Sequence, residues 1–408
     1  MSEYIPLEVQ EEIWKRLPVK PLIRFRWVSK PWKSLIDSPG FIAAYGVRET
    51  HPNCLILRYK DKTDGKEKYL IFVDNENDHS FTRQDFVPTV PDLIKTLGSS
   101  SVVGLLCFTG YYYKYLDGHF CKVIVDRLQS STPLTYQITE MVVLWNLSIS
   151  KSIGIEVPCM GGLPINHVIG FGVCPHTLDP TILKIEIFRI GSPCKVEVFT
   201  LNTGTWSILS TNLNSGSFRL FGSQVVVGRF IYWLALDKLV AEDGFNFQPN
   251  SQKMILSFDL TTKEFKEIIN LSDSLTRPLC RIQTISKLRE SLVLLEYHRE
   301  FEEDLLVRSL WMMKEQGLNK LFTKLYNINL LPDLTINKIL GFRKTGELIL
   351  ETLKGFEGHA EVQIYDPNSE TIDNIALLGV ECRFFMCSYM ETTLLLDQLN
   401  GFIYSISH

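Results

Sequence analysis

Val198-Phe199-Thr200-Leu201-Asn202-Thr203-Gly204-Thr205-Trp206 reads as the end of one strand, a polar turn and the start of the next. An aromatic closes the first strand, turn residues follow, and a second aromatic stands seven positions on. The same element recurs around Trp145 (LWNLSISKSI), Phe258 (SFDLTTKEF), Trp311 (LWMMKEQGL) and Tyr365 (IYDPNSETI), and Phe258 to Phe265 and Tyr365 to Ile372 repeat the seven-residue step. Successive aromatics are 54, 59, 53 and 54 residues apart. Short apolar runs rich in Val, Ile, Leu, Phe and Tyr that repeat about every 50 residues are the signature of a β-propeller.

Outward from these five units, apolar runs at 54–60 and 69–74 form a spare strand pair at one end, and 384–388 and 393–397 form another at the other end. Joined, they make one four-stranded blade that closes the ring and removes its free edges. Five complete units and one composite blade predict a kelch-like propeller of six blades; seven is the alternative, with the segment around 54–90 completing a blade alone. Gly104, Gly170, Gly228 and Gly341 each stand beside an apolar pair in an opening strand, which suits tight backbone approach near a central channel. Residues 305–325 fit strands or a helix, because their apolar positions also repeat at helical spacing.

The first fifty residues differ in kind. After Pro6, Val9, Ile13 and Leu17 recur every four residues and predict a first helix, stopped by Pro18. A short second helix from Pro21 carries Leu22, Ile23, Phe25, Trp27 and Val28 on more than one face. Ser29 is placed to cap a third helix, in which Trp32, Leu35 and Ile36 share a face and which Pro39 ends. The expectation is an α+β chain of two parts, three helices within 1–50 and an all-β region over 51–408. Helical units below about 40 residues rarely hold a stable core alone, and without a metal-ligand cluster this one needs a protein partner.

Across the whole chain of 408 residues, 45% are hydrophobic and 22% charged, and 42 basic against 46 acidic side chains give a net charge of −4. This excludes a disordered or fibrous chain and supplies no general field for a polyanion or an acidic membrane. No apolar run approaches the roughly 18 residues of a membrane span, and Glu3, Glu8, Glu11, Glu12, Lys15 and Arg16 leave no room for a signal-peptide core. The expected location is cytoplasm or nucleus, with no membrane partner. Nine cysteines, an odd number without a C-x-x-C pair and mostly in apolar company, read as reduced, buried thiols.

No Walker loop, G-x-S-x-G elbow or H-E-x-x-H helix is present, and the eight histidines lack ligand spacing, so no catalytic residue, metal or cofactor is expected. Lys15, Arg16, Lys20, Arg24, Arg26, Lys30 and Lys33, interleaved with Phe25, Trp27 and Trp32, raise the question of nucleic acid. Those aromatics share the spacing of the apolar positions, which suits packing on protein rather than stacking on bases, and no nucleic acid is expected. Tyr111, Tyr112, Tyr113 and Tyr115, between Gly110 and Asp117-Gly118, read as a loop offering rigid contact area to a substrate. The alternative is an edge strand whose aromatics fold back onto a blade.

Residues 5–42 resemble the F-box in its plant form: Ile5-Pro6-Leu7-Glu8, Glu12-Ile13-Trp14, then RLPVKPLIRFRWVSKPWKSLI from Arg16 to Ile36, and Phe41. Ile5, Trp14, Pro21, Trp27 and Pro31 stand where Leu, Leu, Ser, Cys and Ser are usual. The remainder resembles the plant F-box-associated interaction domain of S-locus F-box-like and kelch-type proteins. Its markers are Gly104-Leu105-Leu106-Cys107, Leu144-Trp145-Asn146, Val196-Glu197-Val198-Phe199, Ile231-Tyr232-Trp233-Leu234-Ala235, Ser257-Phe258-Asp259-Leu260, Trp311-Met312-Met313-Lys314-Glu315 and Ile364-Tyr365-Asp366-Pro367. Ser152 replaces the expected aromatic of the first repeat.

The resemblance implies a non-catalytic substrate receptor of a ubiquitin ligase of the Skp, cullin and F-box type. The F-box would dock a Skp-family adaptor, the adaptor would reach the cullin scaffold, and the propeller would hold an unknown target protein. On this implication Pro6, Leu17, Pro18, Leu22, Val28, Trp32, Leu35 and Ile36 make or support the adaptor interface. The alternative is an F-box-containing binding module outside a ligase, taking a carbohydrate or an inhibitor.

Overall fold

The seven-residue step is a cross-strand register. Phe199 lies directly opposite Trp206, Phe258 opposite Phe265, Tyr365 opposite Ile372 and Trp145 opposite Ser152. Ring centroids 5.5 Å apart for Phe199–Trp206 and 5.0 Å apart for Phe258–Phe265 are at the separation of favourable aromatic contact. Five places after each aromatic the turn holds a left-handed residue: Ser150 (φ 54°), Gly204 (φ 66°), Lys263 (φ 57°) and Glu370 (φ 55°). Only one is glycine, so side chains hold the turn in the other three. Asn146, Asp259 and Asp366, one place after the aromatic, each accept a hydrogen bond from the N–H two residues on, at 2.9, 2.9 and 2.8 Å. Trp311 departs from the pattern and faces Lys324, whose Nζ stands 5.5 Å from its ring centroid.

The computed structural model describes residues 5–46, 53–75, 80–86, 95–115, 120–121, 136–158, 167–186, 194–211, 213, 218–237, 253–270, 275, 280–299, 306–316, 319–330, 334–354, 359–394 and 396. Four helices come first: α1 (Leu7–Lys15), α2 (Val19–Phe25), α3 (Lys30–Ile36) and α4 (Pro39–Gly46). The expected third helix does not simply end at Pro39. Ser38 Oγ accepts from Phe41 N (3.2 Å), and Pro39 opens a fourth helix, a position where its missing N–H costs nothing.

The strands form six antiparallel sheets. The first begins with β1 (Asn53–Lys60), β2 (Glu67–Asp74) and β3 (Phe81–Phe86); the second holds β4 (Lys95–Val102), β5 (Leu105–Tyr115), β6 (Phe120–Cys121), β7 (Tyr136–Asn146) and β8 (Lys151–Glu156), with β6 beside β5. The third is β9 (His167–Val173), β10 (Pro180–Glu186), β11 (Lys195–Thr200) and β12 (Thr205–Leu209), and the fourth is β13 (Phe218–Val227), β14 (Phe230–Asp237), β15 (Lys253–Asp259) and β16 (Glu264–Asn270). The fifth is β17 (Cys280–Leu288), β18 (Ser291–His298), β19 (Val307–Gln316) and β20 (Asn319–Asn327), so within 305–325 the residues 307–316 and 319–325 are strands. The sixth is β21 (Leu334–Phe342), β22 (Leu348–Lys354), β23 (His359–Asp366) and β24 (Thr371–Val380).

The last strand, β25 (Phe385–Tyr389), returns to pair with β1 and completes the first sheet. The innermost strands β4, β9, β13, β17, β21 and β25 neighbour one another in a closed circle, which makes a six-bladed propeller. Its core is divided: six clusters of buried apolar side chains lie one in each seam between adjacent blades. One strand, not two, closes the ring from the C-terminal end, because β1, β2 and β3 already supply three. The described residues of 393–397 form no strand, and Leu394 and Leu396 pack instead into the seam between the second and third blades.

The four glycines divide as well. A Cβ on Gly170 would stand 2.6 Å from Trp233 Cζ2, and one on Gly104 (φ 73°) would stand 2.3 Å from Met390 O, so close approach decides both. A Cβ on Gly341 would meet nothing nearer than Met386 Sδ at 3.9 Å, and one on Gly228 would stand in open space. Among the described cysteine side chains Cys107 and Cys174 are buried, Cys54, Cys194 and Cys387 half-buried and Cys382 exposed, which departs from the expectation of uniformly buried thiols; those of Cys121, Cys159 and Cys280 lie outside the described residues.

The helices build a small cluster of Trp14, Val19, Leu22, Ile36, Phe41 and Tyr45. Trp32 bridges it, with its ring 4.7 Å from Trp14 and 5.6 Å from Phe25, and Arg26 forks onto Asp37 (Nη2–Oδ2 2.7 Å) to tie α2 to the end of α3. As the sequence predicts, Ser29 caps α3, accepting from Trp32 N at 3.3 Å. The cluster also takes Ile149 from the turn after β7, while Ile42 of α4 packs into the seam that holds Leu394 and Leu396. The boundary at residue 50 separates helices from strands; it does not separate cores.

Candidate functional site

Successive strands of a blade run antiparallel, so first-to-second and third-to-fourth connections leave from one face of the ring, and second-to-third and fourth-to-first connections leave from the other. The helices sit on the first face. There α2 packs against the turn Leu147–Ile149, and Tyr45 Oη donates to Leu17 O (2.7 Å) and lies 3.4 Å from Glu391 Oε2. Asn146 Nδ2 donates to Thr392 O (3.2 Å) and Leu394 O (2.7 Å), and Ser148 Oγ accepts from Thr392 N (3.1 Å), which holds the segment after β25 under the helices.

The helices leave much apolar surface in water. Ile5, Leu7, Val9, Ile13, Trp27 and Val28 are six of the ten large hydrophobic side chains that stay exposed among the described residues, and Trp27 is 84% exposed. The eight residues expected at the adaptor interface divide into three groups. Pro6, Pro18 and Val28 are exposed; Leu17, Trp32 and Leu35 are half-buried against the helical cluster; Leu22 and Ile36 lie inside it and can act only by holding the helices in place. Leu7, Val9, Ile13 and Trp27 are additional exposed candidates. The four-residue stripe of Val9 and Ile13 was the signal for two of them, but periodicity alone does not say which stripe faces inward, and here Trp14 takes the inward place.

The opposite face collects the long connections. In the second to fifth blades 116–135, 187–194, 238–252 and 299–306 link second to third strands there, against 147–150, 201–204, 260–263 and 317–318 between the third and fourth strands of those four blades on the helix face. Tyr111, Tyr112, Tyr113 and Tyr115 are not in a loop. They continue β5, opposite Glu140, Thr139, Ile138 and Tyr136 of β7, on a hairpin that runs out on this far face. Nor is this an edge strand, since β5 pairs with β7 on one side and with β4 and β6 on the other. Tyr111 is half-buried, and the side chains of Tyr112, Tyr113 and Tyr115 lie outside the described residues.

Buried charge lies beside that hairpin. His167 Nε2 is 2.8 Å from Glu140 Oε2, and Lys184 sits between Glu186 and Glu197, the latter at 3.2 Å, with Lys195 also on Glu197 at 2.9 Å. Burial opposes ionisation of Glu197, but hydrogen bonds from Lys195 and Lys184 outweigh it and hold the carboxyl below its ordinary range. Such a satisfied network stiffens a surface and carries no nucleophile. Among the described residues no group of three or more His, Cys, Asp and Glu is arranged to hold a metal ion, and no helix is long and apolar enough to cross a membrane.

Residues 3–43 match the F-box domain, and residues 136–378 match the F-box associated beta propeller domain. Among proteins of Arabidopsis thaliana, At3g16210, whose name also places it with the F-box proteins, is 24% identical over 270 residues, 66% of this chain and 61% of that protein. F-box protein At5g18160 is 33% identical over 112 residues, 27% of this chain and 28% of its own length. The chain thus spans about three fifths or less of the length of these relatives. Among solved structures, oligogalacturonate lyase in complex with manganese aligns at a TM-score of 0.36 with 10% identity, over 71% of this chain and 73% of that one. With an F-box at one end and the associated propeller over more than half its length, the chain belongs to the plant F-box proteins that carry an F-box associated beta propeller domain.

Proposed function

We propose that this protein is the substrate-recognition subunit of a Skp, cullin and F-box ubiquitin ligase, working in the cytoplasm or nucleus. The observation that carries this reading is the division of labour between faces: exposed apolar helices on one side of the ring, long connections on the other. The helices dock a Skp-family adaptor through Pro6, Leu7, Val9, Ile13, Pro18, Trp27 and Val28, with Leu22, Trp32 and Ile36 supporting them from within. The far face, with the tyrosine hairpin, takes the target protein. The chain contributes no acid, base or nucleophile. It acts by proximity, raising the effective concentration of a target lysine near the ubiquitin-charged enzyme.

Co-expression with a Skp-family adaptor followed by size exclusion tests the reading, and a stable co-eluting complex that also recruits the cullin is the expected result. A chain that elutes alone with every adaptor tried refutes it. Adaptor binding without the cullin would favour a binding module that works outside a ligase.

A further inference from the structure

Helices α2 and α3 carry a band of positive charge that the acids around them leave unanswered. Residues 5–46 hold seven basic and four acidic side chains, while the rest of the chain holds 35 basic and 42 acidic, so a positive unit sits on a negative ring. Glu8, Glu11 and Glu12 all lie on α1, where the last two pair with Lys15, and Asp37 after α3 is taken by Arg26. From Lys15 to Ile36 there is no carboxylate. Arg16, Lys20, Arg24, Lys30 and Lys33 are exposed, and among the described residues none of them makes an ion pair within 4.0 Å or a side-chain hydrogen bond. Lys20 and Arg24 are one turn apart on α2, and the chain goes on turning through Trp27 and Val28, whose N–H groups reach back to Arg24 O (3.1 Å) and Phe25 O (3.0 Å). The two cations and the two exposed apolar residues therefore share one stripe, turned away from the buried Leu22. Lys30 and Lys33, three apart, share a side of α3.

Whatever covers Trp27 and Val28 must also meet these cations, because a charge that loses water at an interface without gaining a counter-charge weakens binding. A nucleic acid would answer the charge, but not the aliphatic Ile5, Leu7, Val9, Ile13 and Val28, which have no ring to stack on bases. An anionic membrane would draw the negative ring, onto which α2 is packed, toward like charge. A protein surface with an apolar centre and a carboxylate-rich rim answers every part. Resting on the reading of the helices as the adaptor-docking side, we propose that the adaptor face that meets α2 and α3 is acidic, with Asp and Glu side chains opposite Lys20, Arg24, Lys30 and Lys33. Anchoring and steering are then separate tasks on one surface. Trp27 and Val28 give up water on contact and set how long the complex lasts. The four cations act across the roughly 10 Å that ordinary buffer leaves unscreened, and they set how fast it forms.

Stopped-flow association of the full chain with a purified Skp-family adaptor across a salt series tests this, with a quadruple Lys20→Gln, Arg24→Gln, Lys30→Gln, Lys33→Gln variant and Trp27→Ala in parallel. For the wild type the association rate falls about tenfold or more between about 0.05 and about 0.5 M salt. The quadruple variant associates about tenfold more slowly at low salt and shows a nearly flat salt series, while its dissociation rate stays within about threefold of the wild type. Trp27→Ala does the reverse, dissociating faster and keeping the salt slope. An association rate that ignores salt, or that is unchanged in the quadruple variant, overturns the acidic face while leaving the adaptor assignment standing. Tighter retention on duplex DNA or on phosphatidylserine vesicles than on the adaptor, abolished in the quadruple variant, overturns it in favour of nucleic acid or membrane. The wild-type salt series decides the matter by itself if the quadruple variant fails to fold. A chain that no adaptor binds removes the ligase reading and the acidic face together, a result distinct from a complex that forms but ignores salt.

Discussion

In the helical segment Val9, Ile13, Trp27 and Val28 stay 46–84% exposed, whereas in the ring Trp145, Trp233 and Phe258 are fully buried in the seams between blades. Both regions are rich in apolar residues, and the difference lies in closure. A blade faces a neighbour on each side, so every sheet finds cover within the chain once β25 returns to β1. Four short helices on one face of that ring bury Trp14, Leu22, Ile36 and Phe41 among themselves and meet the ring at Ile149 and Ile42, and their outer side stays in water. Apolar content alone does not separate core from interface; the number of surfaces within reach does.

The most severe way to break this contrast is to delete everything after Glu381. That removes β25 and with it the closure of the first blade, and it removes Leu394, Leu396 and Glu391 from beneath the helices. The ring should lose its cooperative melt and aggregate, and the helices should weaken with it, because Ile42 and Tyr45 lose contacts. A truncated chain that melts cooperatively near the full-length temperature would show that the ends do not hold the ring.

Next in size is Trp233→Ala, which empties the seam between the third and fourth blades, where the indole packs against Gly170. We expect a loss of about 3–5 kcal/mol in urea unfolding. Trp27→Ala should instead change stability by less than about 0.5 kcal/mol while weakening adaptor binding about tenfold or more. Equal effects of the two on stability would erase the distinction between seam and interface. A Val9→Asp, Ile13→Asp double variant sharpens the same point, with adaptor binding lost in calorimetry and the thermal midpoint close to wild type.

The smallest effect is electrostatic. Hydrogen bonds from Lys68 (Nζ–Oδ2 2.6 Å) and from the hydroxyl and N–H of Thr63 hold the Asp61 carboxyl well below the usual carboxylate range. A depressed folded value adds stability above the ordinary Asp value of about 3.9, and that stability is lost as pH falls through the folded value. Asp61→Asn should therefore lower the urea midpoint slightly at about pH 7 and flatten its fall toward about pH 3. An acid limb as steep as the wild type's would assign that slope to other carboxylates.

Much of this architecture is legible in the residues themselves. The seven-residue step from Phe199, Phe258 and Tyr365 is local, because a third strand, its turn and a fourth strand are contiguous in the chain, and the period of these steps yields the blade count. The F-box pattern is equally local. Tertiary structure decided what depends on distant segments meeting. Whether 393–397 adds a strand depends on how many strands β1 to β3 leave to be supplied. Which side of α1 faces water depends on Trp14 finding Trp32, and whether the tyrosines near 111 form a loop depends on 136–140 pairing beside them. The left-handed turn residues Ser150, Lys263 and Glu370 carry no glycine signal, since Asx hydrogen bonds and the closed hairpin hold them. Spacing along a chain fixes what neighbours can do, while burial is a property of which surfaces finally close on one another.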